Sequence, residues 1–361
     1  MTLVRRISVR HRLMTLIGVL ITAVAICGAT PAQATSPSTH DRADAAAGWL
    51  ARQMVGGERF ESNSGGFVLP DQNLTVDAVF AFAAAKTAGD FGARAMAWLA
   101  RREILSGYAG DGTFQSNATA TAKLALAVQV RGGDPTSFGG VDLITRLRAL
   151  EQSSGRFSDR TAFGDFSGIV TQSFALLALD RAGAGASPAA ATFLVAARCA
   201  DGGYPLLFGQ ATCVSEVETT AMAVQALIAV GRHADAAVSL RWLVSVQHAD
   251  GAFGNFSGVP NARGTGLAAQ ALRAGGRFVA AVKARSFLIG LQEGCSSDSA
   301  RRGAVPNTVG FYDPMFTTPR STAFATLGLS GSDFAHLSAR GSRSGAPNLT
   351  CSKAKPSLSM R

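Results

Sequence analysis

The chain has 361 residues, of which 47% are hydrophobic and 16% charged, with a formal net charge of +10. Such a composition excludes a disordered chain and leaves ample length for one large domain with its own core. The basic residues form no Lys/Arg-rich run and no aromatics alternate with them, so nucleic-acid binding is not expected and the positive charge reads as a solvated surface.

Arg5, Arg6, Arg10 and Arg12 precede an apolar run from Leu13 to Cys27 and then Ala32-Gln33-Ala34. Basic, apolar and A-x-A segments in that order predict a secretory signal peptide over residues 1–34, cleaved before Thr35. Loss of its four arginines takes the net charge from +10 to +6. The apolar run is short for a bilayer and ends in helix-breaking Ala/Thr/Pro, so no transmembrane anchor is expected after cleavage. A secreted or cell-envelope location follows, and the Ala/Arg/Gly-rich composition points to a bacterial chain.

Six units follow, with outer-helix anchors at Trp49, Trp98, Leu147, Phe193, Trp242 and Phe287, separated by 49, 49, 46, 49 and 45 residues. After five of the anchors comes a Gly-rich turn with an aromatic: Phe67, Phe114, Phe157, Tyr204 and Phe253. Then comes a helix apolar on nearly every face: residues 75–85, 118–130, 169–179, 219–230, 265–274 and 321–329. Helices of that kind belong in an interior, and twelve residues or so are too few to span a membrane. Units that cannot bury their apolar faces alone must stack. The predicted fold is therefore all-α, an α/α toroid (α6/α6 barrel) over residues 43–330, with residues 35–42 and 340–361 as loose ends and a polar tail over 331–361.

Four cysteines remain in the exported chain, an even number that favours disulfides. The local solution among three pairs Cys199 with Cys213 and Cys295 with Cys351; the first closure would add about 3 kcal/mol of stability in the chain-entropy model, and the second would tether the tail. A zinc site is the rival, but no CxxC is present and neither His233 nor His248 sits at ligand spacing with a cysteine.

Trp242-Leu243-x3-Gln247-x2-Asp250-Gly251-x-Phe253, with a partial second copy at Phe287-Leu288-x3-Gln292, is similar to the QW repeat of triterpene cyclases. From Ala43 to Ser330 the chain resembles the α/α-toroid superfamily of terpenoid cyclases, protein prenyltransferase β-subunits and cobalamin carriers. The resemblance implies that the Gln caps neighbouring helix ends and the aromatic stacks on it. That is structure, and it assigns no activity, because unrelated activities share the toroid.

By position, Glu216-Val217-Glu218-Thr219 lies where class II terpene cyclases carry DxDD. The resemblance implies Glu216 for the first Asp, Glu218 for the central proton donor and Thr219 for the last Asp. Both acids are a methylene longer and the third is lost. Acids at a helix N-terminus also act simply as caps and dipole partners. Asp77 holds the matching place in the first unit, with Thr119/Thr121, Thr171/Gln172, Arg263/Thr265 and Arg320/Ser321 in others. Asp77, Glu216 and Glu218 are expected to face Arg263 and Arg320 across one barrel mouth, as ion pairs or as a ligand site. Phe80, Phe82, Phe174 and Met222 are candidates for the cavity wall or the core.

No DDxxD, zinc-ligand set, CGEQ thioester, phosphate loop or GxSxG is present, so neither a metal nor any other cofactor is expected. Three readings remain. The first is an exported toroid, expected as a monomer, that binds a hydrophobic or isoprenoid-like small molecule, a lipid or a partner centrally. The second is a class II-like terpene or squalene cyclase with Glu218 as general acid and Glu216 assisting. The third is a structural envelope scaffold with a filled centre.

Overall fold

Helices with no polar face cannot lie against water, and the six that the sequence marks as such are the innermost here. The structure is a computed structural model that describes residues 37–351 apart from residues 65 and 184; the expected signal peptide lies outside the described residues. Among these, thirteen helices follow one another: α1 (Arg42–Arg52), α2 (Gln72–Ala85), α3 (Gly89–Leu99), α4 (Arg102–Ala109), α5 (Ala118–Val130), α6 (Leu143–Arg148), α7 (Ile169–Arg181), α8 (Pro188–Ala196), α9 (Val217–Ala229), α10 (His233–Ser245), α11 (Ala262–Ala274), α12 (Phe278–Leu291) and α13 (Thr317–Ser330). Short strands are confined to the connections: β1 (Ser38–Thr39), β2 (Phe60–Ser64), β3 (Phe67–Asp71), β4 (Phe253–Gly254), β5 (Pro260–Asn261) and β6 (Asn348–Leu349), paired β1–β6, β2–β3 and β4–β5.

Helices α2, α5, α7, α9, α11 and α13 pack each on the next, and α13 returns to α2, which closes an inner barrel. The outer layer is α1, α3, α6, α8, α10 and α12, each on its inner neighbour and each carrying one of the six expected anchors. The fold is the α/α toroid that the period requires. Four inner helices begin two to four residues before the apolar run does, because polar first-turn residues also adopt helix. In α2, for example, Asp71 caps the helix by accepting from the Leu74 N–H at 2.9 Å. Helix α4 is an addition between units that the period does not contain.

One hydrogen bond recurs from unit to unit. A side-chain oxygen early in the inner helix accepts the N–H of a buried turn residue: Phe60 to Thr75 (3.0 Å), Phe157 to Gln172 (3.0 Å), Tyr204 to Thr220 (2.8 Å), Phe253 to Thr265 (2.9 Å) and Val305 to Thr322 (2.9 Å). Each such buried bond contributes about 1 kcal/mol and fixes the turn on its helix. The first unit uses Phe60; Phe67 and Phe114 are exposed instead. The repeat glutamines link neighbours. Gln247 Nε2 donates to the carbonyls of Gly251 (3.0 Å) and Ala280 (2.9 Å), and Gln292 Nε2 to those of Arg42 (2.9 Å) and Gly303 (3.1 Å). The second of these ties the last outer helix to the first, so the ring closes through its outer layer as well.

Both disulfides, Cys199–Cys213 and Cys295–Cys351, are present. Residues 331–351 do not hang loose. Ser38 and Thr39 pair with Asn348 and Leu349, and α1 can let the chain pass because position 48 is glycine: a Cβ there would come within 1.9 Å of the Pro347 carbonyl oxygen. Earlier in the same segment, Phe334 is fully buried and packs edge-on against Phe80 (centroids 5.2 Å apart) and Phe174 (5.7 Å). Its backbone is held by several inner helices. Gln225 Oε1 accepts the Phe334 N–H at 3.0 Å, Arg181 donates to the Leu337 carbonyl at 2.7 Å, Gln270 to that of Ser332 at 2.7 Å, and the Val130 carbonyl accepts the Ala339 N–H at 2.7 Å. The C-terminal segment thus plugs the barrel at the carboxyl ends of the inner helices.

Candidate functional site

At the opposite end, all six inner helices present their N-terminal turns to one pocket. Each contributes two residues one turn apart: Asn73 and Asp77 from α2, Thr119 and Lys123 from α5, Val170 and Phe174 from α7, Glu218 and Met222 from α9, Arg263 and Leu267 from α11, and Arg320 and Phe324 from α13. The i, i+4 spacing puts such pairs on one face about 6 Å apart along the axis. The upper layer is polar on five helices, while four of the six lower-layer residues are apolar. The cavity is small, ≈ 140 Å³, below the ~300–1,000 Å³ range of drug-sized sites, and it opens to solvent at the mouth. Its depth is limited by Phe174, which stacks on Phe80 and meets Phe334 edge-on below.

Of the sequence candidates, Asp77, Glu218, Arg263 and Arg320 come together here, and Phe174 and Met222 reach the wall, whereas Phe80 and Phe82 are core. Glu216 and Thr219 are not in the lining. Glu216 is the N-cap of α9, and its Oε2 accepts the Thr219 N–H at 2.8 Å; Thr219 Oγ1 donates to the Tyr204 carbonyl at 2.9 Å. A carboxylate engaged in this way holds the helix end. Of the other polar residues expected at the mouth, Gln172, Thr265 and Ser321 bond to the preceding loop, and only Thr119 lines the pocket.

The charges pair only in part as expected. Asp77 Oδ1 lies 2.6 Å from Lys123 Nζ, with both side chains 4% exposed. Lys123 also donates to Asn73 Oδ1 (2.8 Å) and to the Asn73 carbonyl (3.2 Å). Burial pulls the Lys123 ammonium down and Asp77 holds it up. Glu218 Oε2 sits 2.8 Å from Arg263 Nε, and Arg320 bonds Asp71, the α2 cap. Burial pushes the Glu218 carboxyl up to about 7; Arg263 opposes this, and Glu216 and Asp77 add to it. Tyr108, whose hydroxyl donates to Asn73 Oδ1 at 3.2 Å, is driven well above its ordinary value by burial and by Asp77 and Asp71. Lys123, Asp71 and Asn73 escape notice in the sequence. A single Lys inside an apolar helix looks accidental until the units are superposed and it falls level with Asp77, Phe174 and Met222.

Around the mouth, the loops leading into the inner helices carry exposed apolar side chains, among them Phe67, Phe114, Phe163, Leu206, Phe256 and Val309. Among the described residues no helix is long and apolar enough to cross a membrane, and no group of three or more His, Cys, Asp or Glu could hold a metal ion.

No protein-family profile matches the chain, and no curated protein is similar to it. Solved structures do match. A protein from Actinoplanes is 17% identical, with a TM-score of 0.54 over 81% of this chain and 99% of its own. The unsaturated glucuronyl hydrolase of Bacillus sp. GL1, responsible for the degradation of glycosaminoglycan, is 14% identical (TM-score 0.57; 80% and 95% covered). The type II terpene cyclase MstE from Scytonema is 13% identical (TM-score 0.58; 80% and 96% covered), and a variant of it was solved with its substrate, geranylgeranyl dihydroxybenzoate. The chain thus shares its α/α-toroid fold with terpene cyclases and also with glycosidases, a group the sequence reading does not include. At these identities the likeness is one of fold.

Proposed function

We propose that this is an exported α/α-toroid protein that binds a small hydrophobic or amphipathic molecule at its central mouth. The carrying observation is the pocket itself, to which all six inner helices contribute at the same two turn positions, an apolar wall on one side and ion pairs around it. Packing alone would favour apolar residues at every one of these twelve positions. Instead, paired charges, the Asp77–Lys123 pair fully buried, surround an open cavity, an arrangement that adds less to stability than apolar packing would. The exposed apolar ring at the mouth supports an apolar ligand or partner approaching from that side. Two disulfides and the sequence of residues 1–34 support export to an oxidising compartment.

The cyclase reading asks for a carboxyl more acidic than usual, since an alkene is a very weak base. Glu218 moves the other way, up to about 7, and Glu216 is engaged as a helix cap. The scaffold reading gains from the Phe334 plug, which fills the far end but leaves the mouth open.

The test is mass spectrometry of small molecules extracted from the purified protein and from a Leu267→Trp variant whose larger side chain fills the pocket. One lipid-like species enriched in the parent and absent from the variant is expected. Equal extracts from the two proteins would count against a central ligand.

A further inference from the structure

The charged groups lining the mouth pair one to one, and the Glu218–Arg263 pair is the most exposed of them. Arg320 is held by Asp71, and Arg stays protonated at any ordinary pH. The Lys123 ammonium has three N–H donors and meets three acceptors, Asp77 Oδ1, Asn73 Oδ1 and the Asn73 carbonyl, and it is closed off from an incoming group, with both members of its pair 4% exposed. That leaves Glu218. The charged groups around it are Arg263 on α11, Asp77 on α2, Lys123 on α5, Arg320 on α13 and Glu216 at its own helix end, while α7 contributes only Val170 and Phe174. With Glu218 ionised the three pairs are balanced. With Glu218 protonated Arg263 loses its ion-pair partner, and its side chain, 47% exposed, is within reach of an incoming group.

Arg263 approaches Glu218 through Nε, at 2.8 Å from Oε2. A guanidinium fork takes a carboxylate through two donors. One helical turn below Glu218, Arg263 and Arg320 lie Met222, Leu267 and Phe324, a wall for a short apolar tail. Six inner-helix N-termini also converge on the mouth, and their dipoles favour an anion there.

We propose that the mouth takes an amphipathic carboxylate, whose head group replaces the Glu218 carboxylate on Arg263 as Glu218 takes up one proton from solvent. The inference rests on the central pocket being a ligand site, and it makes ligand binding and proton uptake a single event. Ligand and proton are gained together, so binding weakens as pH rises through the range in which Glu218 ionises.

The test uses the purified protein and three probes of equal length, octanoate, octanol and octylammonium, titrated by calorimetry at pH 6 and pH 8. Octanoate should bind tightest at pH 6 and about tenfold more weakly at pH 8, following the protonated fraction of a carboxyl titrating near 7, with proton uptake visible as a buffer-dependent heat. Glu218→Gln should bind octanoate equally at both pH values, at the pH 6 affinity of the parent. Arg263→Gln should lose the preference for octanoate while still binding octanol, which shows that the pocket is intact. Octanoate binding that is no tighter than octylammonium, or that is the same at pH 6 and pH 8 in the parent, would overturn the proposal while leaving a neutral-ligand pocket standing. If none of the three probes binds, both the proposal and the central pocket as a ligand site fall.

Discussion

Asp77→Leu should destabilise the protein by about 3–5 kcal/mol, and adding Lys123→Met should restore most of that loss. The two side chains are each 4% exposed and 2.6 Å apart, so removing the carboxylate leaves an ammonium buried with only the Asn73 oxygens as partners. An uncompensated charge in such a place costs more than the pair contributes, whereas two apolar side chains of similar volume extend the wall already made by Phe174 and Met222. Urea unfolding followed by tryptophan fluorescence measures both variants. If the double variant is no more stable than the single one, the pair is holding the barrel by geometry and not merely avoiding an orphaned charge.

Phe334→Ala should cost a similar amount, about 3–5 kcal/mol, the range for a large aromatic removed from a close-packed site. Its ring is fully buried between Phe80 and Phe174, at centroid distances of 5.2 and 5.7 Å. Two residues on, His336 projects outward, its side chain 81% exposed, and His336→Ala should stay within about 0.5 kcal/mol of the parent. The contrast matters because both lie in the same 331–339 segment. A tail that only rests against the barrel would respond weakly to both substitutions, and a plug responds to the buried one alone.

The architecture is legible in the chain because an inner helix needs an apolar residue on every face and an outer helix does not. Six alternations of the two kinds at a period near 48 leave few ways to bury the surface other than a closed ring. The QW-like glutamines carry the same information, since Gln247 and Gln292 each reach the next unit. What the sequence hides is orientation. Glu216 and Glu218 are two residues apart, yet one turns back to the Thr219 N–H as a cap while the other, at the second helical position, faces the axis. Arg263/Thr265 and Arg320/Ser321 divide the same way between mouth and turn. Lys123 was findable by superposing the units, which sets positions 77, 123, 174, 222, 267 and 324 in one layer. Phe334 was not, because it lies outside the period in a segment where polar residues outnumber apolar ones, and only the closed barrel gives its ring a place to go.

Met222 offers the most direct view of the central mouth. It is the only methionine in the pocket lining, while Met54 and Met96 are buried elsewhere. In a spectrum of the protein labelled with ¹³C at the methionine methyls, titration with octanol should shift the Met222 signal saturably and leave those of Met54 and Met96 unmoved. A Met222 signal that stays fixed throughout the titration, or that moves only in step with the other two, would contradict a ligand site at the centre of this toroid.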